Sequence, residues 1–203
     1  TFSQPEFVIC DSEMLKTLDK RQFVAGFAEI VKAGAIKDEN VFEYLENNFK
    51  KALNMDSDVI NRLVYDSVLI KSKVVEADEK EKGERRKLNF GHTFAHSFEK
   101  LTGMLHGEAV SAGMVLASKL SQNLGLIKET DCKRIRSLLE NLGLPVTVNT
   151  DMSDIFKIMK QDKKREGDAL HLVLLEKIGN AITKKVSLKQ LEEMINDLRS
   201  DIR

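Results

Sequence analysis

The chain has 203 residues, and 32 Lys plus Arg are balanced by 32 Asp plus Glu, so the formal net charge is zero and no global field selects for nucleic acid or an anionic membrane. Its two cysteines, Cys10 and Cys132, form neither a metal-type spacing nor a disulfide framework, which suits a reducing cytoplasm. No apolar run approaches the roughly 18 residues a membrane-spanning helix needs, and no basic-then-apolar leader opens the chain, so it reads as a soluble protein whose anion sites must be local.

A chain of this length can bury one core, and no repeat, low-complexity tract or linker divides it, so residues 1–203 are expected to form a single domain. The chain begins at Thr1 rather than Met, and residues 2–11 read as a loop running into a short strand with no partner nearby. Both features suggest a piece cut from something longer. Leu, Lys, Glu and Ala then recur at i, i+3, i+4, while proline is confined to Pro5 and Pro145. The fold class is therefore mainly α, with helices expected at 12–18, 21–36, 39–47, 56–80, 89–101, 107–123, 129–142, 152–161 and 188–199. Gly143-Leu144-Pro145 is a helix stop, and Asp151 or Ser153 is a cap for the helix that follows. Between 169 and 185 the pattern changes to Leu170-His171-Leu172-Val173-Leu174-Leu175, then Gly179-Asn180, then Ala181-Ile182-Thr183, which predicts a small β-hairpin.

Three of the four histidines lie between His92 and His106. His92 and His96 are four apart, so on a helix their rings share a face, as paired metal ligands would. The third ligand would be His106 or a carboxylate. Two imidazoles and one carboxylate suit Zn2+, and Co2+ fits the same set. Glu29 and Lys32 sit three apart in an otherwise apolar helical stretch, a placement that needs either a functional reason or an intrahelical ion pair. Glu108 competes as a ligand, but in the first turn of a helix it also serves the helix dipole. Arg85, Lys87 and Asn89 add charge and an amide just before the histidines. Lys71 and Lys73 read equally well as a solvated helix face, and Asp162-Lys163-Lys164-Arg165-Glu166-Gly167 as solubilising surface. His171, alternating with apolar neighbours in the expected strand, is assigned a structural or exposed position.

Taken together, Gly26-Phe27-Ala28-Glu29-Ile30-Val31-Lys32, Ile70-Lys71-Ser72-Lys73-Val74-Val75-Glu76-Ala77-Asp78-Glu79, the run from Arg85 through Leu88-Asn89-Phe90-Gly91-His92-Thr93-Phe94-Ala95-His96, Leu105-His106-Gly107-Glu108-Ala109-Val110 and Asp162-Lys163-Lys164 with Gly167 resemble, in order and spacing, the 3-dehydroquinate synthase family. Five linked motifs are far more specific than any one. The resemblance runs over essentially the whole chain but reaches only the family's C-terminal helical domain. It implies that residues 1–11 are a residual strand or linker from an N-terminal NAD-binding domain that this chain lacks. The resemblance assigns the metal, Zn2+ or Co2+, to Glu29, His92 and His106, and moves His96 from metal ligand to contact with the substrate phosphate and proton transfer. Lys71, Arg85, Asn89 and Lys163, with Lys32 beside them, fall on positions that hold the substrate's carboxylate or phosphate. Ala95 and Ala33 depart from the glycine and tyrosine usual at their positions.

The implied reaction converts the sugar phosphate 3-deoxy-D-arabino-heptulosonate 7-phosphate to 3-dehydroquinate and phosphate in the shikimate pathway, with NAD cycling between oxidised and reduced forms. The resemblance further implies a cytoplasmic protein with a homodimeric habit and with neither nucleic acid nor membrane as partner. This chain alone would bind metal and turn nothing over. The alternatives are a related sugar-phosphate cyclase of the 2-deoxy-scyllo-inosose synthase type and a non-catalytic helical metal-binding domain.

Overall fold

The computed structural model describes residues 6–161 and 169–200. Residues 6–11 form no strand, because no neighbouring strand offers them a hydrogen-bonding ladder, and Phe7, Val8 and Ile9 are exposed. A 3-10 helix, Ser12–Thr17, replaces the α-helix expected at 12–18. Eight α-helices and one hairpin follow among the described residues: α1 Lys20–Lys37, α2 Glu39–Leu53, α3 Ser57–Ala77, α4 His92–Thr102, α5 His106–Asn123, α6 Glu129–Asn141, α7 Met152–Gln161, β1 Ala169–Lys177, β2 Asn180–Ser187 and α8 Leu188–Ser200.

Local chemistry sets the starts of the first three helices. Asp19 accepts from the Arg21 and Gln22 backbone N–H groups, Asp38 from Asn40 and Asp56 from Val59, each carboxylate serving donors that a helix cannot satisfy by itself. The second helix runs one and a half turns past its expected end at 47, since Ala52 is fully buried and Phe49 and Leu53 pack on the core. Conversely, α3 stops at Ala77, where Asp78 turns its carboxylate back onto the loop beyond. Residues 89–91, expected to be helical, are not part of α4. A second 3-10 helix, Glu84–Asn89, precedes Gly91 in the left-handed conformation (φ 81°), and α4 starts only at His92.

Two helices rich in small residues run through the centre. α1 buries Ala25, Ala28, Ala33, Gly34 and Ala35 alongside Phe23, Phe27, Val31 and Ile36, while α5 buries Gly107, Ala109, Ser111, Ala112 and Gly113. A Cβ added at Gly107 would lie 2.0 Å from the Ala25 carbonyl oxygen, and one at Gly113 would lie 2.2 Å from that of Gly91. The backbones of α1, α5 and the start of α4 therefore touch directly. Phe42, Phe90, Phe94, Met114, Leu120 and Leu139 fill the core around them.

The antiparallel hairpin pairs Ala169 with Ser187 through Leu175 with Ala181, and Gly179 takes the turn at φ 84°. It seats against α1 and α5: the Gly179 N–H donates to the Ala35 carbonyl (2.8 Å), and the Leu175 N–H to the buried Ser121 hydroxyl (3.0 Å). Arg134 on α6 reaches Glu46 (2.7 Å), Glu39 (3.4 Å) and Glu43 (3.5 Å) on α2, so one guanidinium ties these two helices together. No helix among the described residues is long and apolar enough to cross a membrane.

Candidate metal centre and anion cleft

Glu29 projects from the middle of α1, while His92 and His106 are the first residues of α4 and α5. Because Gly91 and Gly107 permit backbone contact, three helices converge and bring one ligand atom from each of these residues within 4.8 Å of the others. Glu29 Oε1 is 3.8 Å from His92 Nε2 and 3.7 Å from His106 Nε2.

The hydrogen bonds behind each ring aim its lone pair inward. His92 Nδ1 lies 3.2 Å from the Phe90 carbonyl oxygen, which can only accept, so Nδ1 carries the proton and Nε2 the free pair. His106 Nδ1 lies 2.6 Å from Glu99 Oε1, which fixes the same tautomer. Burial, reinforced by the Lys32 charge, pushes the His92 imidazole down to about 4, so it is neutral at pH 7. Burial drives the Glu29 carboxyl up, but the Lys32 charge and hydrogen bond, aided by both histidines, outweigh it and hold the group below its ordinary value. Glu29 is thus an anion beside the neutral His92 imidazole, with the His106 ring on its other flank.

Its two oxygens differ. Oε2 accepts from the Lys32 ammonium at 2.6 Å, whereas Oε1, facing the histidines, is buried with no hydrogen-bond partner. A buried, orphaned carboxylate oxygen is costly. Two convergent imidazole lone pairs beside it make a donor set that fits Zn2+ or Co2+.

A cleft of about 510 Å³ opens beside this cluster. Lys32 and Lys71, from α1 and α3, line it together with Arg85 and Asn89 from the second 3-10 helix. Lys32 is only 5% exposed, and its pKa is lowered by burial and by Lys71 in spite of Glu29. Arg85 is set in place by its neighbours: its guanidinium donates to the Glu79 carbonyl (2.6 Å), and its backbone N–H to Asp78 (3.1 Å).

Seven of the expected site residues, Glu29, Lys32, Lys71, Arg85, Asn89, His92 and His106, line the one cleft. His96 does not. It lies one turn along α4 with its ring 6.0 Å from that of His92 and nearly perpendicular, and the converging group excludes it, so the ligand pair expected from spacing is not formed. Lys163, together with the rest of its motif from Asp162 to Gly167, lies outside the described residues. Glu108 serves structure instead: it accepts from Arg21 Nε and Nη2, each at 2.6 Å, and from the Leu105 N–H at 2.9 Å. His171, on β1, is half-buried, and its Nε2 accepts a hydrogen bond from Arg86 Nη1 at 2.7 Å.

Sequence reasoning missed Glu81, which lines the cleft, holds Asn89 Nδ2 at 2.6 Å and takes a left-handed backbone (φ 55°). In the charge run from Asp78 to Arg86 it looked like any solvated acid. A hydrophilic run with one glycine between two well-marked helices was the available signal.

The family profile described as "3-dehydroquinate synthase C-terminal" matches residues 26–165. Among relatives named 3-dehydroquinate synthase, that of Thermoanaerobacter pseudethanolicus is 42% identical over 98% of this chain and 56% of its own length. One from Coxiella burnetii is 45% identical over 89% of this chain and 52% of its own. The chain thus spans about half the length of these relatives. Two solved structures share the fold: the 2-epi-5-epi-valiolone synthase ValA of Streptomyces hygroscopicus, with NAD+ and Zn2+ bound, at 28% identity and TM-score 0.82 over 94% of this chain and 55% of that one. The other is a 2-deoxy-scyllo-inosose synthase complexed with carbaglucose-6-phosphate, NAD+ and Co2+, at 26% identity and TM-score 0.81 over 95% and 57%. The profile match over most of this chain, together with relatives above 40% identity along nearly all of it, makes the chain a member of the 3-dehydroquinate synthase family, corresponding to its C-terminal domain.

Proposed function

We propose that this chain is the metal- and substrate-holding half of a 3-dehydroquinate synthase, which converts 3-deoxy-D-arabino-heptulosonate 7-phosphate to 3-dehydroquinate and phosphate. The observation that carries the proposal is the orphaned Glu29 Oε1 facing two imidazole lone pairs at the edge of a cationic cleft. Glu29, His92 and His106 hold Zn2+ or Co2+, which when bound polarises a substrate hydroxyl or carbonyl oxygen. Lys32, Lys71 and Arg85 bind the two anionic ends of the substrate, and Asn89 orients it; Arg85 suits a planar carboxylate or phosphate edge. The family resemblance alone adds His96 and Lys163 as substrate contacts. Hydride chemistry belongs to NAD, held by residues outside this chain. Reduced Cys10 and Cys132 are compatible with a cytoplasmic setting, and the assembled enzyme is a homodimer.

Zinc titration tests the centre. The chain takes up one Zn2+, and Glu29→Ala or His92→Ala abolishes uptake, while His96→Ala leaves it within about threefold because it loses no first-sphere ligand. Full zinc uptake without Glu29 overturns the assignment. The 2-deoxy-scyllo-inosose synthase neighbour keeps a second reading in view: comparing phosphate release from the heptulosonate phosphate and from a sugar phosphate that lacks the carboxylate, with the full-length protein, separates the two.

A further inference from the structure

His92 and His106 reach the same Glu29 oxygen at nearly equal distance, but they are held very differently. The His92 side chain is mostly buried and braced by the Phe90 carbonyl. His106 is 52% exposed at the first position of α5. What fixes its direction is one contact across the helix pair: Glu99, two turns into α4, accepts from His106 Nδ1 at 2.6 Å. The bond sets the tautomer that leaves Nε2 unprotonated and turns that atom toward Glu29 Oε1. An ordinary exposed ion pair would need neither the short distance nor the inward aim of the opposite nitrogen.

We propose that Glu99 is a positioning residue for the metal centre, an outer carboxylate that orients His106 and strengthens it as a ligand. This rests on the reading of Glu29, His92 and His106 as the metal ligands. Glu99 holds no metal itself. Its negative charge behind the ring raises the electron density at Nε2, and its hydrogen bond removes the rotational freedom that metal binding would otherwise have to restrict.

Two variants separate charge from geometry. Glu99→Gln keeps an acceptor but loses the charge, and Glu99→Ala loses both. Isothermal titration of the chain with Zn2+ alone, and visible absorption of the Co2+ form, are expected to show weakening of about ten- to a hundredfold for Glu99→Ala and an intermediate loss for Glu99→Gln. Imidazole nitrogen shifts of the metal-free chain are expected to report His106 protonated at Nδ1 in the wild type and in Glu99→Gln, and a mixture of tautomers in Glu99→Ala. Neither readout moves if Glu99 only ties α4 to α5, so Zn2+ affinity within threefold of wild type in a folded Glu99→Ala chain overturns the proposal. Should Glu99→Ala not fold, the Glu99→Gln affinity decides by the same criterion. Failure of the underlying centre looks different: the wild type then binds no Zn2+, or binds it equally well as Glu29→Ala, and the proposal falls with it.

Discussion

At the scale of single residues, charge does its work through placement. Asp78, bonded to backbone amides, organises the loop that carries Arg85. Oδ1 accepts from the Lys82 N–H at 3.0 Å, and Oδ2 from those of Gly83 (2.6 Å) and Arg85 (3.1 Å). Those bonds, led by the one from Lys82, lower its pKa from the ordinary 3.8. A carboxyl whose folded pKa is depressed contributes stability that is present above 3.8 and is lost as pH falls through the lowered value. Acidification below pH 4 therefore loosens this loop while the helical core persists. In Asp78→Ala the Gly83 and Arg85 amides exchange faster by about tenfold already at neutral pH, as measured by hydrogen exchange. Sequence alone named Arg85 but not the acid that steadies it, because the bonds run from a side chain to backbone across a loop and leave no periodic trace. The same limit explains the histidines. Helical spacing correctly placed His92 and His96 on neighbouring turns, but it carried no information about which element faces each ring. Glu29 and His106 lie opposite His92 and not His96, a fact of tertiary packing that only the family resemblance conveyed.

Among elements, the long helices were legible wherever apolar periodicity and an aspartate cap agreed, as in α1 and α3. The 3-10 helix from Glu84 to Asn89 was not, since six residues with Glu84, Arg85, Arg86 and Lys87 among them show no apolar face. The close seating of α5 on α1 was equally hidden, although Gly107 and Gly113 were in plain view. With Ala25 O only 2.0 Å from a Cβ at position 107, Gly107→Ala must push the start of α5 off α1, at a cost of about 1–3 kcal/mol for overpacking. Since His106 is the preceding residue, the same shift moves its ring from Glu29, so Zn2+ affinity falls along with the melting temperature. Leu139→Ala, which opens a hole in the core away from the cleft, costs about 2–5 kcal/mol and leaves Zn2+ affinity of the folded chain unchanged. Thermal melts paired with zinc titration distinguish damage to the core from displacement of a ligand.

For the molecule as a whole, the cleft gathers Lys32, Lys71 and Arg85 beside the candidate metal ligands. The chain of 203 residues by itself is expected to bind Zn2+ and to release no phosphate from the heptulosonate phosphate, even with NAD added. Continuous phosphate assay checks this, and measurable release contradicts it. That the three proposed ligands come from three helices has a further consequence, for stability. Glu29 and His92 are separated by α2, α3 and the loop beyond, so an ion held as proposed would close a long chain segment much as a covalent cross-link does. Such an ion would tie α1 to α4 and α5, so the zinc-loaded chain is expected to melt at a higher temperature than the metal-free chain, and a chelator is expected to reverse the gain.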